Sequence, residues 1–258
     1  MRRKARTVGE MEIPWVTAFL DFPASVHGAG VEFWTAATGQ TLSAPRGPND
    51  EVATLVPVEG DDYLRVQRIQ DGPARIHLDL HTAAGVAVGR FAENLGARLI
   101  ASTDYSTYLS PGGLPFCVVG TPNSVQTPPV RWGRHTSLVD QVCIDIPDEL
   151  FESETEFWAE LLGFKVKPSW SHHEFASLVG PDVHQLRLLM QRLEDDEGPV
   201  RAHLDLATDD RPAEVARLAR LGAETVRRTS HWTTMRDPAG MEFCVTDRDP
   251  ITGLPGGH

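Results

Sequence analysis

The sequence is short of basic charge: 24 Lys and Arg stand against 36 Asp and Glu, a formal net charge of −12. Nucleic-acid binding draws most of its affinity from Lys and Arg neutralising phosphates, so DNA and RNA are not expected partners. Long apolar runs are missing as well. No stretch approaches the roughly 20 apolar residues that cross a bilayer, and the basic start MRRKAR is followed by TVGEMEIP instead of the apolar segment of a secretory signal. Cysteine is scarce. Cys117, Cys143 and Cys244 form an odd set inside apolar runs, which suggests reduced thiols and a cytoplasmic protein over a disulfide framework. Nucleophile-elbow, P-loop and dinucleotide-binding spacings are absent too, which removes support for covalent and nucleotide chemistry.

What is present is a repeat. The stretch ARIHLDLHTAA at residues 74–84 returns as VRAHLDLATDD at 200–210. Asp21, Pro23, Glu32, Phe33, Trp34, Gly39, Gln67 and Arg68 recur 124 residues later as Asp145, Pro147, Glu156, Phe157, Trp158, Gly163, Gln191 and Arg192. His77, Leu78 and Asp79 recur as His203, Leu204 and Asp205 at a spacing of 126, and Phe116, Cys117 and Val118 as Phe243, Cys244 and Val245 at 127. Chance identity runs at roughly one position in twenty, so so small a drift over so many matches marks a tandem duplication. The expected layout is a basic leader at 1–13, a first domain at 14–121, a linker at 122–137, a second domain at 138–248 and a tail at 249–258. The linker TPNSVQTPPVRWGRH is rich in proline and small polar residues.

Each repeat divides again. In the second, QVCIDI alternates as a strand, SETEFWAELLG has helical spacing ending on Gly163, and short alternating runs follow. The pattern restarts with strand RAHLDL, helix RPAEVARLARLGA and a turn at Asp237-Pro238-Ala239-Gly240. This is βαβββ twice per domain, an α+β architecture. Along a strand, side chains alternate between faces, so Arg201, His203 and Asp205 share one face, as do Arg75, His77, Asp79 and His81. Gln141, Cys143 and Asp145 fall together, and so do Glu242, Cys244 and Thr246.

The FWxxxxG pieces, HLDL, LGA and RDPAGMEFCV resemble the glyoxalase-like domains of the vicinal oxygen chelate superfamily, which includes glyoxalases, bleomycin-resistance proteins and extradiol dioxygenases. That resemblance implies two tandem domains, each curling an eight-stranded sheet around a cavity with helices outside. Metal-binding members take ligands from the first, fourth, fifth and last strands, usually His, Glu, His and Glu. The corresponding positions are Gln141, Gln191, His203 and Cys244 in repeat two, and Thr17, Gln67, His77 and Cys117 in repeat one. Only the histidine is kept. Neutral Gln and Thr oxygens are poor ligands, so no cofactor is expected, the alternative being one divalent metal in domain 2.

His77 and His203 are either ligand contacts or structural histidines satisfied by neighbouring carboxylates, and Gln67 and Gln191 are open to the same two readings. Asp237 with Pro238 reads as a turn, and Trp34 and Trp158 as core. In KPSWSHHEF, Trp170 and His172 are candidates to grip a planar ligand at the cavity mouth, as is Trp232 in SHWTTMRD; the bland reading is a solvated hairpin tip and plain packing. Two functional classes follow. One is a metal-free protein binding a small, partly aromatic or cationic molecule through Gln141, Gln191, Cys244 and these aromatics. The other is an enzyme, with His203 and Glu242 as acid and base if no metal is bound. A monomer or homodimer is expected.

Overall fold

The structure is a computed structural model, and it describes residues 12–103, 105–120, 123–180, 185–194 and 198–254. Most of the expected leader and the last four residues of the tail lie outside these. The first module runs β1 (Trp15–Pro23), α1 (His27–Thr38), β2 (Thr41–Leu42), β3 (Val52–Val56) and β4 (Leu64–Ile69). The second runs β5 (Arg75–His81), α2 (Gly85–Asn94), β6 (Arg98–Ser102), β7 (Ser106–Leu109) and β8 (Pro115–Val119). Together they make one eight-stranded sheet in the order β2-β3-β4-β1-β5-β8-β7-β6. The modules join where β1 and β5 pair antiparallel; within each, the first and last strands are parallel.

The second half repeats this with β10 (His135–Pro147), α3 (Phe151–Leu162), β11 (Lys165–Pro168), β12 (Phe175–Val179) and β13 (Arg187–Leu193), then β14 (Arg201–Thr208), α4 (Arg211–Arg220), β15 (Glu224–Arg228), β16 (Trp232–Arg236) and β17 (Glu242–Thr246). Its order, β11-β12-β13-β10-β14-β17-β16-β15, is that of the first sheet. A ninth strand, β9 (Val130–Trp132), pairs with the start of β10. Part of the segment read as a linker is therefore a hairpin: its Val130, Trp132, His135 and Ser137 find backbone and side-chain partners that proline-rich flanks concealed. Among the described residues no helix is long and apolar enough to cross a membrane.

The FWxxxxG pieces explain themselves locally. Gly39 (φ 67°) and Gly163 (φ 73°) close α1 and α3 in the left-handed conformation, which costs glycine little. Phe33, Trp34, Phe157 and Trp158, one helical face, are buried in a single hydrophobic core that spans both halves. Each of these helices reaches across to the other domain. The Trp34 ring meets Phe243 edge-on at 5.2 Å, and its Nε1 donates to Asp237 Oδ2 at 2.8 Å. The Trp158 ring meets Phe116 at 5.3 Å, while its Nε1 donates to Glu154 Oε1 at 2.8 Å and Glu154 Oε2 accepts from the Gly112 N–H at 2.7 Å. Asp237 is thus more than the turn residue it resembles: it is buried and pins the two domains together.

A third tie is polar. Fully buried Glu214 accepts from His135 Nε2 (2.8 Å), Ser137 Oγ (2.8 Å) and Arg217 Nε (2.7 Å). These donors hold its carboxyl below the usual range against the opposing effect of burial, the largest single influence on it. Arg217 also donates to the Ala37 carbonyl at 2.7 Å, satisfying the C-terminal end of α1, and stacks over Trp132 at 3.6 Å.

Candidate active site in domain 2

Strand register assembles the site. β10 pairs with β14 so that Cys143 lies opposite His203 and Gln141 opposite Asp205; on its other side Cys143 lies opposite Leu189 and Asp145 opposite Gln191. Asp205 in turn pairs with Cys244 of β17. Alternation sends Val142, Ile144, Leu188, Met190, Leu204, Leu206 and Val245 into the core. The polar set faces the other way, into the curl of the sheet.

The curl is measurable. Phe175 on β12 and Trp232 on β16 touch, with ring centroids 5.8 Å apart, although four strands lie between theirs. In a flat sheet five strand spacings would separate them by about 24 Å. His172 stands against Phe175 (6.1 Å), Trp232 (6.2 Å) and His231 (5.6 Å), completing an aromatic rim over the polar floor. Trp170, expected at this mouth, stands clear of it with 98% of its surface exposed.

On the floor, His203 Nδ1 lies 2.9 Å from Asp145 Oδ2, and Nε2 lies 3.3 Å from Asp205 Oδ1. The second contact is too poorly aligned for a hydrogen bond, which leaves Asp205 Oδ1 buried without a hydrogen-bond partner among the described residues. Burial opposes a charge on the imidazole, yet the flanking carboxylates prevail and push the pKa of His203 up, well above its ordinary value. Cys143 Sγ donates to Gln191 Oε1 at 3.5 Å, and burial pushes its thiol up. Cys244 Sγ meets Thr234 Oγ1 at 3.6 Å.

Of the residues singled out from sequence, the structure brings His203, Gln141, Gln191 and Cys244 to the floor and His172 and Trp232 to the rim. Glu242 shares the face of Cys244 but is half-exposed, with its Oε1 held by Arg236 Nη2 at 2.7 Å. The carboxylates that do address His203 are Asp145 and Asp205. Their signal was already in the strand alternation, which set both on the histidine's face; what periodicity could not supply was the register that makes them its partners.

The first domain has the same floor in a filled form. His77 Nδ1 lies 2.9 Å from Asp21, and Gln67 is in register with Asp21. Phe19 stacks on His77 with centroids 4.4 Å apart, and the Arg65 guanidinium lies 5.7 Å above that ring and 3.7 Å from Asp79 Oδ2. Burial pushes Asp79 up, against the pull of His77 and Arg65, and pushes Cys117 up to about 12.

Two mixed curled sheets, each built from a duplicated βαβββ module around a strand-borne His-x-Asp, define a protein of the vicinal oxygen chelate superfamily. A family model described as the Glyoxalase-like domain matches residues 17–119 and again 141–246, and the chain belongs to that family. Among solved structures, 2,2',3-trihydroxybiphenyl 1,2-dioxygenase from dibenzofuran-degrading Sphingomonas wittichii strain RW1 is similar over 89% of this chain and 88% of its own (TM-score 0.61, 13% identity). The Mn(II)-bound glyoxalase from Novosphingobium aromaticivorans is similar over 92% and 81% (TM-score 0.57, 18% identity). An extradiol ring-cleaving dioxygenase from B. fuscum is similar over 98% and 76% (TM-score 0.63, 14% identity). At such identities the likeness is one of fold. No curated protein matches the sequence significantly.

Proposed function

We propose that domain 2 binds a small organic molecule between the aromatic rim and the His203–Asp205 floor, without a catalytic metal, and that domain 1 is its scaffold. The observation that supports this most is the contrast between the floors: Phe19 and Arg65 fill the first, whereas the second keeps a buried carboxylate oxygen without a hydrogen bond among the described residues, on a sheet whose rim is closed by Phe175, Trp232 and His172. Concave sites with apolar walls and a few converging polar groups are where small ligands bind. His203, whose pKa is raised by its two flanking carboxylates, is also the group suited to donate a proton if the bound molecule reacts. The protein acts in the cytoplasm as a monomer or homodimer, binding neither nucleic acid nor membrane.

The test is a fragment screen on the full chain by ligand-observed NMR, repeated on His203→Ala and Trp232→Ala. Fragments that lose binding in both variants, with the fold retained, support the reading. A screen whose hits are all indifferent to both variants, or one with no hits, overturns it.

A second reading has one specific observation behind it. His203, Asp205 and Cys244 offer an imidazole nitrogen, a carboxylate oxygen and a thiol sulfur all within 4.8 Å of one another. That donor set fits a borderline divalent ion such as zinc, with Asp145 orienting the imidazole through Nδ1. When bound, such an ion supplies Lewis acidity towards a carbonyl or hydroxyl oxygen. Loading requires His203 to give up the proton its carboxylates hold, so affinity should climb with pH. Elemental analysis after dialysis against zinc, manganese and iron(II) decides it: stoichiometric metal lost in Asp205→Ala establishes the metal reading, and none retained removes it.

A further inference from the structure

Domain 1 contains, in its own side chains, an image of what domain 2 lacks. Phe19 pairs in register with Arg65 on one side and His77 on the other. In domain 2 the residue in the same place is Cys143, paired with Leu189 and His203. The two floors thus correspond strand by strand, with Asp79 and Asp205 two residues beyond each histidine. Between them an aromatic ring and a guanidinium have been exchanged for a thiol and an isobutyl group.

The consequence is electrostatic. In domain 1, Asp79 sits between His77 Nε2 (3.8 Å) and Arg65 Nη1 (3.7 Å). In domain 2, the ion-pair partner of Asp205 among the described residues is the histidine, and the nearby arginines serve other carboxylates: Arg187 and Arg248 lie 3.8 and 2.5 Å from Asp140, and Arg201 lies 4.0 Å from Asp145. Buried Asp205 is thus left without the guanidinium that its counterpart Asp79 faces, and its Oδ1 makes no hydrogen bond among the described residues. A buried carboxylate is costly unless it is paired. A monocation carrying a flat ring would restore what Arg65 and Phe19 provide in domain 1, with Phe175, Trp232 and His172 closing over it.

We infer that the ligand of domain 2 is a small planar cation, an amidinium or guanidinium borne on an aromatic ring, whose charge meets Asp205 and whose ring lies over His203. This rests on the assignment of domain 2 as the binding domain and adds the ligand's chemical class.

The test titrates the full chain calorimetrically with benzamidine, neutral benzamide and anionic benzoate, three near-isosteres. Benzamidine is expected to bind at least tenfold more tightly than benzamide, with no benzoate binding, and Asp205→Asn is expected to reduce that preference to under threefold. The double variant Cys143→Phe/Leu189→Arg, which rebuilds the first domain's filling, is expected to abolish benzamidine binding and to raise the melting temperature at pH 7. Benzamide or benzoate binding as well as benzamidine, in a manner sensitive to Trp232→Ala, refutes the cation while sparing the small-molecule site. Benzamidine binding unaffected by Asp205→Asn refutes the assigned contact. Failure of all three probes overturns the inference, whereas the site itself stands or falls by the fragment screen.

Discussion

The two floors are copies of one repeat, and the differences that meet at the histidine are Phe19 against Cys143 and Arg65 against Leu189, beside Thr17 against Gln141 and His81 against Ala207 further along the strands. Where domain 1 has Phe19 and Arg65, its histidine is stacked, its aspartate faces a guanidinium, and the site is packed like a core. Where domain 2 has Cys143 and Leu189, the histidine lies between two carboxylates that raise its pKa, and Asp205 Oδ1 faces it at 3.3 Å with no hydrogen bond among the described residues. The rims differ to match. Phe175 and Trp232 close over the second floor, while the corresponding places in the first are held by Val52 and by exposed Tyr105. On the proposed reading, duplication would let one copy serve as scaffold while the other keeps the site.

That comparison can be broken most directly at Phe19. Phe19→Cys installs the domain 2 residue in domain 1 and removes a buried ring, so unfolding free energy should fall by about 3–5 kcal/mol, read from urea denaturation. The matching change Cys143→Ala should cost far less; equal losses would mean that the second floor is packed as tightly as the first.

The interdomain pins come next in size. Asp237→Ala strands the Trp34 indole N–H, and Glu154→Ala strands both Trp158 Nε1 and the Gly112 N–H. Each should destabilise by about 1–3 kcal/mol, since a buried donor left without its acceptor bears its full desolvation penalty. Thermal unfolding with both domains melting as one transition is the expected readout; separate transitions would show that the pins alone hold the halves together.

His203 gives a pH signature. Its pKa is raised on folding, so the stability it contributes is fully present below its unfolded value near 6.5 and is lost as pH rises through the folded value. The stability difference between wild type and His203→Gln should therefore be largest in mildly acidic buffer and shrink as pH rises into the alkaline range. A difference that grew with pH would mean a neutral histidine in the folded protein. The smallest effect is expected at Trp170, which is almost fully exposed: Trp170→Ala should change stability by no more than about 0.5 kcal/mol.

Much of the fold was legible because strand alternation and helix spacing are local properties. The repeat, the βαβββ modules, and Trp34 and Trp158 as core follow from periods of two and 3.6 residues that each segment carries by itself. The site was legible only in part. His203 and Cys244 stood out as repeated residues, and Asp145 and Asp205 lay on the right face, but pairing them needed the register of β10 against β14. Glu242 was drawn in by sharing Cys244's face, and only the fold shows Arg236 holding it. Non-identities within the repeat, Phe19 against Cys143 and Arg65 against Leu189, were visible in the alignment at 124 residues. Their meaning was not, because nothing local says that both side chains meet at one histidine.

The amino-acid sequence alone therefore determined a duplicated α+β chain, its strand faces and the histidine at the centre of each floor, since these depend on neighbours a few residues apart. Tertiary structure decided which carboxylates flank each histidine, that Phe175 and Trp232 close one mouth, and that Asp237 is a pin between domains. Those depend on curl and register, which come from the packing of segments dozens or hundreds of residues apart and are written in no single one of them.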